Sequence, residues 1–577
     1  MTTEIETDTA ASETARRRIR VGAGHPHYKW IVLSNTTLGT LLATVNASIV
    51  LISLPAIFRG IGLNPLAPSN ISYLLWMLMG YLVVTAVLVV PFGRLGDMFD
   101  RVRIYNIGFA VFTVAAIALS FDPFTLDGGA IWLIAWRVIQ GIGGAMLMAS
   151  SSAILTDAFP ANQRGMALGV NMVAAVAGSF LGLLIGGVLS EWHWQAIFWV
   201  GVPIGLAGTI WSLRSLREMG VRSPGRLDWA GTVTFGVGLT VLLIGITYGI
   251  QPYGTSTTGW TNPWVFGSIA AGLALLVVFC FVELRVAQPM VNIRLFTSAS
   301  FGMGNVAGFM SSMGRGGLQF MLIIWLQGIW LPLRGYDFEV TPLWAAIYML
   351  PITIGFLLAG PIAGWLSDRY GARPLTVGGM ALMAASFIAL VMIPVDFDYR
   401  VFAVLIFLNG VGGGIFTAPN TAAIMSSVPA SERGAASGVR ATFFNAGSSL
   451  SIGIFFSLMI VGLANTLPGT LSSGLQAQGV SADVAGQVAE LPPVGSLFAA
   501  FLGYNPIAEL LEPYHALQQP GVNAEVLTGQ TFFPHLIIEP FHAGLVVVFA
   551  AAAAMMVIGL IASLFNPGRY AEDAERS

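Results

Sequence analysis

Lysine is nearly absent from this 577-residue sequence: Lys29 is the only one, and apart from histidine every other cation is arginine. A nucleotide-binding P-loop needs Gly-Lys-Ser/Thr, so that an ammonium can reach the outer phosphates. Lys29 stands between Tyr28 and Trp30, so that loop is excluded. A single cysteine, Cys280, rules out an intrachain disulfide and a cysteine-based zinc cluster. The six histidines include no HExxH pair, and no GxSxG elbow occurs. These gaps argue against an enzyme, call for no metal or cofactor, and leave no expectation of a nucleic-acid partner. Charge itself is scarce, at 9% of residues against about 25% in soluble proteins. Meanwhile 55% of residues are apolar and the mean hydropathy is +0.77. So few charges cannot make a polar skin for a chain of this length, so the expected partner for much of its surface is the lipid bilayer.

What the chain does have is long apolar runs. A helical span takes about 20 mostly apolar residues, and fourteen such runs can be read. Six lie near 30–58, 73–92, 104–120, 131–158, 165–190 and 195–213; a pair follows at 230–251 and 264–284. The last six lie near 301–331, 341–366, 375–394, 401–426, 438–463 and 541–565. Arginine is concentrated in every second loop, as at Arg94, Arg101 and Arg103, Arg164, Arg214 and Arg217, Arg369 and Arg373, and Arg433. The intervening loops hold only Arg59, Arg334 and Arg400, and 465–540 holds no Lys or Arg. By the positive-inside rule both termini are expected in the cytoplasm, in an integral plasma (inner) membrane protein. The first thirty residues are polar and lack a signal peptide's apolar core.

The sequence repeats itself. Gly93-Arg94-Leu95-Gly96-Asp97 corresponds to Gly364-Trp365-Leu366-Ser367-Asp368 at an offset of 271 residues. Gln140-Gly141-Ile142-Gly143-Gly144 corresponds to Asn409-Gly410-Val411-Gly412-Gly413 at 269. Phe159–Gly165 and Val428–Gly434 match at 269 again. Two parallel six-helix halves follow, with the pair inserted between them. The expected organisation is a tail over 1–29, a first half over 30–215 and a linker with two extra helices over 216–295. A second half runs over 296–566, including a loop at 465–540, and a tail over 567–577.

With these motifs the chain resembles a major facilitator superfamily transporter, and the inserted pair makes it similar to the fourteen-span drug–proton antiporter family. The implied fold is an all-α polytopic membrane protein of two six-helix halves plus two inserted helices. Gly93 to Arg101 resembles the family's GxLxDRxGR loop, with Met98 in place of a basic residue and Asp100 in place of a glycine. The copy at Gly364, Asp368, Arg369, Gly371 and Arg373 matches better. In the family such loops latch helices on the cytoplasmic side, which makes Gly93, Asp97, Arg101, Asp157, Gly364, Asp368, Arg369 and Arg373 gating candidates. Arg137, inside the fourth span, matches an arginine that the family links to proton transfer; a structural hydrogen-bonding role remains the alternative. Gly178, Gly182, Gly186 and Gly187 resemble the helix-5 antiporter motif, with Leu183 where its proline would stand; simple helix packing would also use them.

The departure that matters most for coupling is in the first helix. Where the family's first helix commonly carries an aspartate, this chain has Asn46, and no Asp or Glu falls near mid-membrane in any span. That weakens proton coupling without removing it, since Asp97, Asp157 or Glu539 could titrate in a water-filled vestibule. Arg315, near the middle of the ninth span, has no acid close in sequence and suggests a cavity that accepts an anion. A structural arginine bonding neighbouring carbonyls is the competing reading. Gln319 shares its face. Asn46, Trp76, Tyr81, Gln327, Tyr348, Asn420, Phe444 and Asn445 are further cavity candidates. Two short helices are expected near 475–490 and 496–511, capping the outer mouth or lying on the membrane; a docking partner there is unknown.

The function implied is a monomeric, secondary-active exporter of amphipathic or hydrophobic compounds by alternating access, with protons as the coupling ion. A lipid or fatty-acid exporter not strictly driven by protons is the alternative. A non-transporting receptor or scaffold is the alternative of another class.

Overall fold

The computed structural model describes residues 27–64, 70–160, 163–219, 228–254, 256–286, 289, 291–428, 433–490, 493–502 and 505–566. The expectations for the N-terminal tail and for 567–577 fall outside this set, as does the side chain of Asp368. Among the described residues there is no β-strand, and fourteen helices are long and apolar enough to cross a membrane.

Numbered in chain order, the first half holds α1 (Tyr28–Ile61), α2 (Asn70–Met98), α3 (Arg101–Ser120), α4 (Leu126–Ala158), α5 (Arg164–Trp192) and α6 (Ala196–Ser215). The inserted pair is α7 (Trp229–Tyr248) and α8 (Pro263–Arg285). The second half holds α9 (Ala299–Trp325), α10 (Thr341–Ser367), α11 (Ala372–Val391), α12 (Tyr399–Ser426), α13 (Arg433–Ala464) and α14 (Ile538–Leu564). Most helices outrun the apolar runs that predict them, because capping residues and first turns are polar and hydropathy does not see them. Asp100, for example, accepts a hydrogen bond from the Arg103 amide at 2.8 Å and so starts α3.

Prolines set the breaks. α10 is interrupted at Met349 just before Pro351, which has no N–H to return to the Ile347 carbonyl. α9 ends in a π-helical turn over Leu326–Trp330, then a 3-10 turn over Pro332–Arg334, closed by Gly335 at φ 79°. The arginine-rich ends of the helices share one face of the molecule, and the loops poor in arginine share the other.

Packing repeats in the two halves as the sequence does. α1 packs on α5 as α9 does on α13, α2 on α4 as α10 on α12, and α3 on α6 as α11 on α14. The halves meet along two seams, α2 against α13 and α5 against α10, which exchange under the pseudo-twofold. Lipid supplies no hydrophobic drive between helices, so close approach over small residues has to hold them. It is close: a Cβ at Gly410 would lie 1.9 Å from the Ile352 carbonyl oxygen, and one at Gly141 would lie 2.9 Å from that of Tyr81. The inserted pair lies outside the halves. α7 packs on both α2 and α13, with Thr247 Oγ1 3.2 Å from Met79 Sδ, while α8 exposes Trp264, Phe266, Val277 and Phe281 on its outer side.

The segment between α13 and α14 contains more and shorter helices than expected. α-Helices at Leu467–Ala477, Ala482–Ala489, Pro493–Phe501, Ile507–Leu511, Ala524–Thr528 and Phe532–Leu536 alternate with 3-10 turns. Prolines at 493, 506, 513, 520 and 534 divide the stretch where composition alone suggested two helices. Its apolar faces are buried. Phe498 stacks on Phe456 of α13 at 4.7 Å between ring centroids, and Phe501 meets Phe320 of α9 edge-on at 5.9 Å. It also reaches the first half, where Asn64 donates to the Glu509 carboxylate. The segment therefore caps the arginine-poor face across both halves.

Candidate functional site

Three arginines enter the membrane-spanning helices away from their ends, and the structure treats each differently. Arg137 of α4 is wholly enclosed. Its Nη1 donates to Gln140 Oε1 at 2.8 Å, to Asn46 Oδ1 at 3.0 Å and to the Asn46 carbonyl at 3.3 Å, and the guanidinium lies 4.6 Å from the centre of the Tyr81 ring. Tyr81 is itself fixed by donating to the Ala43 carbonyl at 3.0 Å. The three-residue step from Arg137 to Gln140 puts both on one face of α4, and that face meets α1. Asn46 thus takes the place of an acid as a neutral acceptor for Nη1, without carrying a proton that could be released, while Arg137 Nε is enclosed with no acceptor among the described residues.

Arg315 of α9 is partly exposed to a cavity between the halves. Its guanidinium lies 5.0 Å from the ring centre of Phe444 on α13 and 5.6 Å from that of Phe356 on α10. The cavity, of about 60 Å³, is bounded by α5, α9, α10, α11 and α12, and its polar wall is Ser179, Arg315, Gln319, Thr353 and Asn409. At about 10–15 Å³ per water it holds a few waters. A drug-sized ligand needs several hundred cubic ångströms, so such a molecule enters only if the halves move apart.

Arg440 of α13 was overlooked in the sequence, although it lies within the run 438–463; an arginine inside an apolar run is signal enough. Its Nη2 lies 3.9 Å from Met172 Sδ of α5, across the two halves.

The other predicted cavity residues are dispersed. Asn46 and Tyr81 belong to the Arg137 cluster. Gln327, in the π-helical turn, donates to the Ile52 carbonyl of α1 at 3.4 Å near the arginine-poor face. Tyr348 shares a hydrogen bond of 3.2 Å with the Tyr336 hydroxyl in an aromatic cluster on that same face. Asn420 donates to the Gly304 carbonyl at 3.0 Å, tying α12 to α9. Trp76 and Asn445 are partly buried and do not border the cavity; Asn445 Nδ2 is enclosed without an acceptor among the described residues. Only Arg315 and Gln319 form its wall, with Phe444 behind the arginine.

At the arginine-rich face, Arg101 joins three helices. Its Nε and Nη2 donate to Asp97 Oδ1 at 2.8 and 2.6 Å, and its Nη1 to the Asp157 carboxylate. The end of α2, the start of α3 and the end of α4 are held together by one guanidinium. The second loop copy has a different geometry. Gly371 adopts φ 83°, which favours glycine, and Arg369 and Arg373 point outward, exposed. In the first copy Asp100 has φ −178°, an extended conformation open to any residue. That is why the glycine is dispensable there. A Cβ at Gly93 or Gly364 would find its nearest neighbour at 4.0 Å, so neither marks a tight helix contact in this conformation.

The helix-5 glycines are tight. Gly178, Gly182 and Gly186 step by four along one face of α5 against α1, where added Cβ atoms would lie 2.2 Å from Thr44 Oγ1, 2.4 Å from the Val45 carbonyl and 2.6 Å from Ile52. Gly187 faces the other half, and its Cβ would lie 2.6 Å from Leu343 Cα of α10.

A twelve-helix core in two pseudosymmetric halves, with a small cavity between them, is the architecture of a membrane transporter. The sequence profile of the Major Facilitator Superfamily matches residues 36–314 and 229–452, and the chain belongs to that superfamily. Among its relatives, a riboflavin transporter of Clostridioides difficile is 26% identical over 434 residues, 74% of this chain and 88% of the relative. The tetracenomycin C resistance and export protein of Streptomyces glaucescens is 25% identical over 556 residues, 95% and 93% of the two chains. A methyl viologen resistance protein of Salmonella typhimurium is 29% identical over 458 residues, covering 78% and 86%. Of solved structures, a bacterial homologue of the lysosomal transporter Spinster covers 95% of this chain and 100% of its own, at a TM-score of 0.54 and 16% identity. That likeness supports the fold alone.

Proposed function

We propose that this protein is a secondary-active exporter of small amphipathic or hydrophobic compounds, seated in the plasma (inner) membrane with both termini in the cytoplasm. The observation that carries the reading is the cavity between the halves, mostly apolar with a polar patch around Arg315, where the halves pack chiefly along two seams, α2–α13 and α5–α10. Rocking about those seams would open the cavity to one side at a time. The relatives, one conferring methyl viologen resistance, one tetracenomycin C resistance and export, and one transporting riboflavin, favour small organic substrates. The arginine-rich face supports the cytoplasmic assignment. Protons are the proposed counter-ion. Among the described residues no acid borders the cavity, so the carboxylates placed to carry them are Asp97 and Asp157 around Arg101.

A second reading, export or flipping of a lipid or fatty acid, is favoured by Arg315 on the cavity wall. Dye accumulation in a pump-deficient bacterium tests the exporter reading, with cationic, neutral and anionic amphipathic dyes compared. Expression should lower accumulation of at least one dye, and Arg101→Ala should restore it. Accumulation unchanged for every dye would defeat the proposal.

A further inference from the structure

The molecule contains its own comparison for an arginine inside the membrane. Applying the repeat offset of 269 residues, Asn46 of α1 corresponds to Arg315 of α9, Arg137 to Ile406, and Gln140 to Asn409. The first half thus carries its cation on the fourth helix and answers it with amide and carbonyl acceptors from the first. The second half carries its cation on the first helix, and the position that would face it from the fourth is isoleucine. Among the described residues Arg315 has no hydrogen-bond acceptor and no carboxylate partner; its neighbours are the rings of Phe356 and Phe444. A phenylalanine ring attracts the charge but accepts no in-plane hydrogen bond, so the fork of N–H donors finds no acceptor on the protein among the described residues and faces the cavity. The fold supplies three acceptors to Nη1 of Arg137, though its Nε is enclosed without one among the described residues, whereas at Arg315 it supplies none to any nitrogen.

The rest of the wall matches a ligand with one charge and an apolar body. Phe180, Leu183, Met349, Ile352 and Met383 surround the polar patch, and Gln319 stands one turn from Arg315 on the same helix. Arg440 lies one turn before Phe444 on α13, contacts Met172 across the halves, and has Nε enclosed without an acceptor among the described residues. Phe444 thus has Arg440 one turn before it and Arg315 over its ring, and among the described residues no acid borders the cavity.

On the transporter reading above, we propose that the cavity binds amphipathic monoanions, a carboxylate or phosphate ester on an apolar or aromatic body, with the Arg315 guanidinium as bidentate counter-ion. Guanidinium forks match carboxylate and phosphate geometry, and in a site shielded from water such pairs gain strength. The energetic consequence is direct. An anion leaving a cell whose interior is negative moves down the potential, by about 2.3 kcal/mol per charge for each 100 mV. Export of such a substrate needs no carboxylate at Asn46 to be favourable.

The test uses the full-length protein and one pyrene body in three forms: pyrenebutanoate, its methyl ester, and the corresponding trimethylammonium cation. Binding is read by quenching of tryptophan fluorescence in detergent, and flux in proteoliposomes under a potassium–valinomycin potential. The expected result is that the unmodified protein binds the carboxylate at least about tenfold tighter than the ester, and that flux of the carboxylate rises with a potential negative on its side. Arg315→Gln should remove the preference, and Arg315→Lys should keep part of it, with both variants melting near the parent. Equal affinity for carboxylate and ester, preference for the ammonium, or no binding of any form overturns the anion site; because the first comparison needs no variant, a misfolded one does not rescue it. Carboxylate binding without flux would leave the site standing and sink the exporter reading; flux of the ester or ammonium alone would do the reverse. Competition by dioleoyl phosphatidate vesicles identifies the source of the anion as lipid, and its absence identifies a soluble amphiphile.

Discussion

Asn46 decides what Arg137 can be. A neutral amide at that position gives the guanidinium two acceptors, through its side chain and its carbonyl, without a second charge in the membrane. Removing the amide leaves part of a buried charge unsatisfied. We expect Asn46→Ala to destabilise the protein by roughly 2–3 kcal/mol, in line with the cost of an unpaired buried polar group next to a charge. Asn46→Asp should remain folded, because a carboxylate is the stronger acceptor. Melting of the two purified variants checks this; a neutral effect of Asn46→Ala would show that Arg137 finds other partners. The presence of Arg137, Arg315 and Asn46 was legible in the sequence, because a charge inside an apolar run stands out. Which of the arginines finds acceptors was not, since acceptors come from helices about ninety residues away. Gln327, Tyr348 and Asn420 look like cavity residues by type and depth, and only the rotation of each helix reveals that they tie helices together or lie toward one face.

Among the elements, glycine patterns divide into tight and loose ones that sequence cannot separate. Gly410 and Gly364 both fall in repeated motifs, yet one touches the neighbouring backbone and the other does not. Gly410→Ala should cost about 1–3 kcal/mol by overpacking, visible as a clear fall in melting temperature. Gly364→Ala should leave melting unchanged. If Gly364→Ala nonetheless stops transport, its close contact belongs to another conformation of the cycle; equal stability of both variants would contradict the packing described. Helix number and order were readable from hydropathy alone because each span must be apolar over a fixed length. The short helices of 467–536 were not, because there prolines and local capping, rather than length and apolarity, divide the chain.

For the molecule as a whole, the segment capping the arginine-poor face must move if the cavity opens there. It holds the second half through Phe498 and Phe501 and touches the first through Glu509 and Asn64. The chain's one cysteine, Cys280, is exposed on α8 and can be removed first. In a Cys280→Ser background, Asn64→Cys with Glu509→Cys should crosslink on oxidation, stop flux, and recover it on reduction. Undiminished flux in the crosslinked protein would show that this contact persists through the cycle.

The inserted pair breaks the symmetry of the two seams. α7 lies across α2 and α13, whereas α5 and α10 meet with no such helix over them among the described residues. Seen from the lipid, the transporter has two doorways and one is shuttered. Parting Gly187 from Leu343, which now pack closely, would expose the α5–α10 seam directly to lipid, while α7 would still lie over α2 and α13.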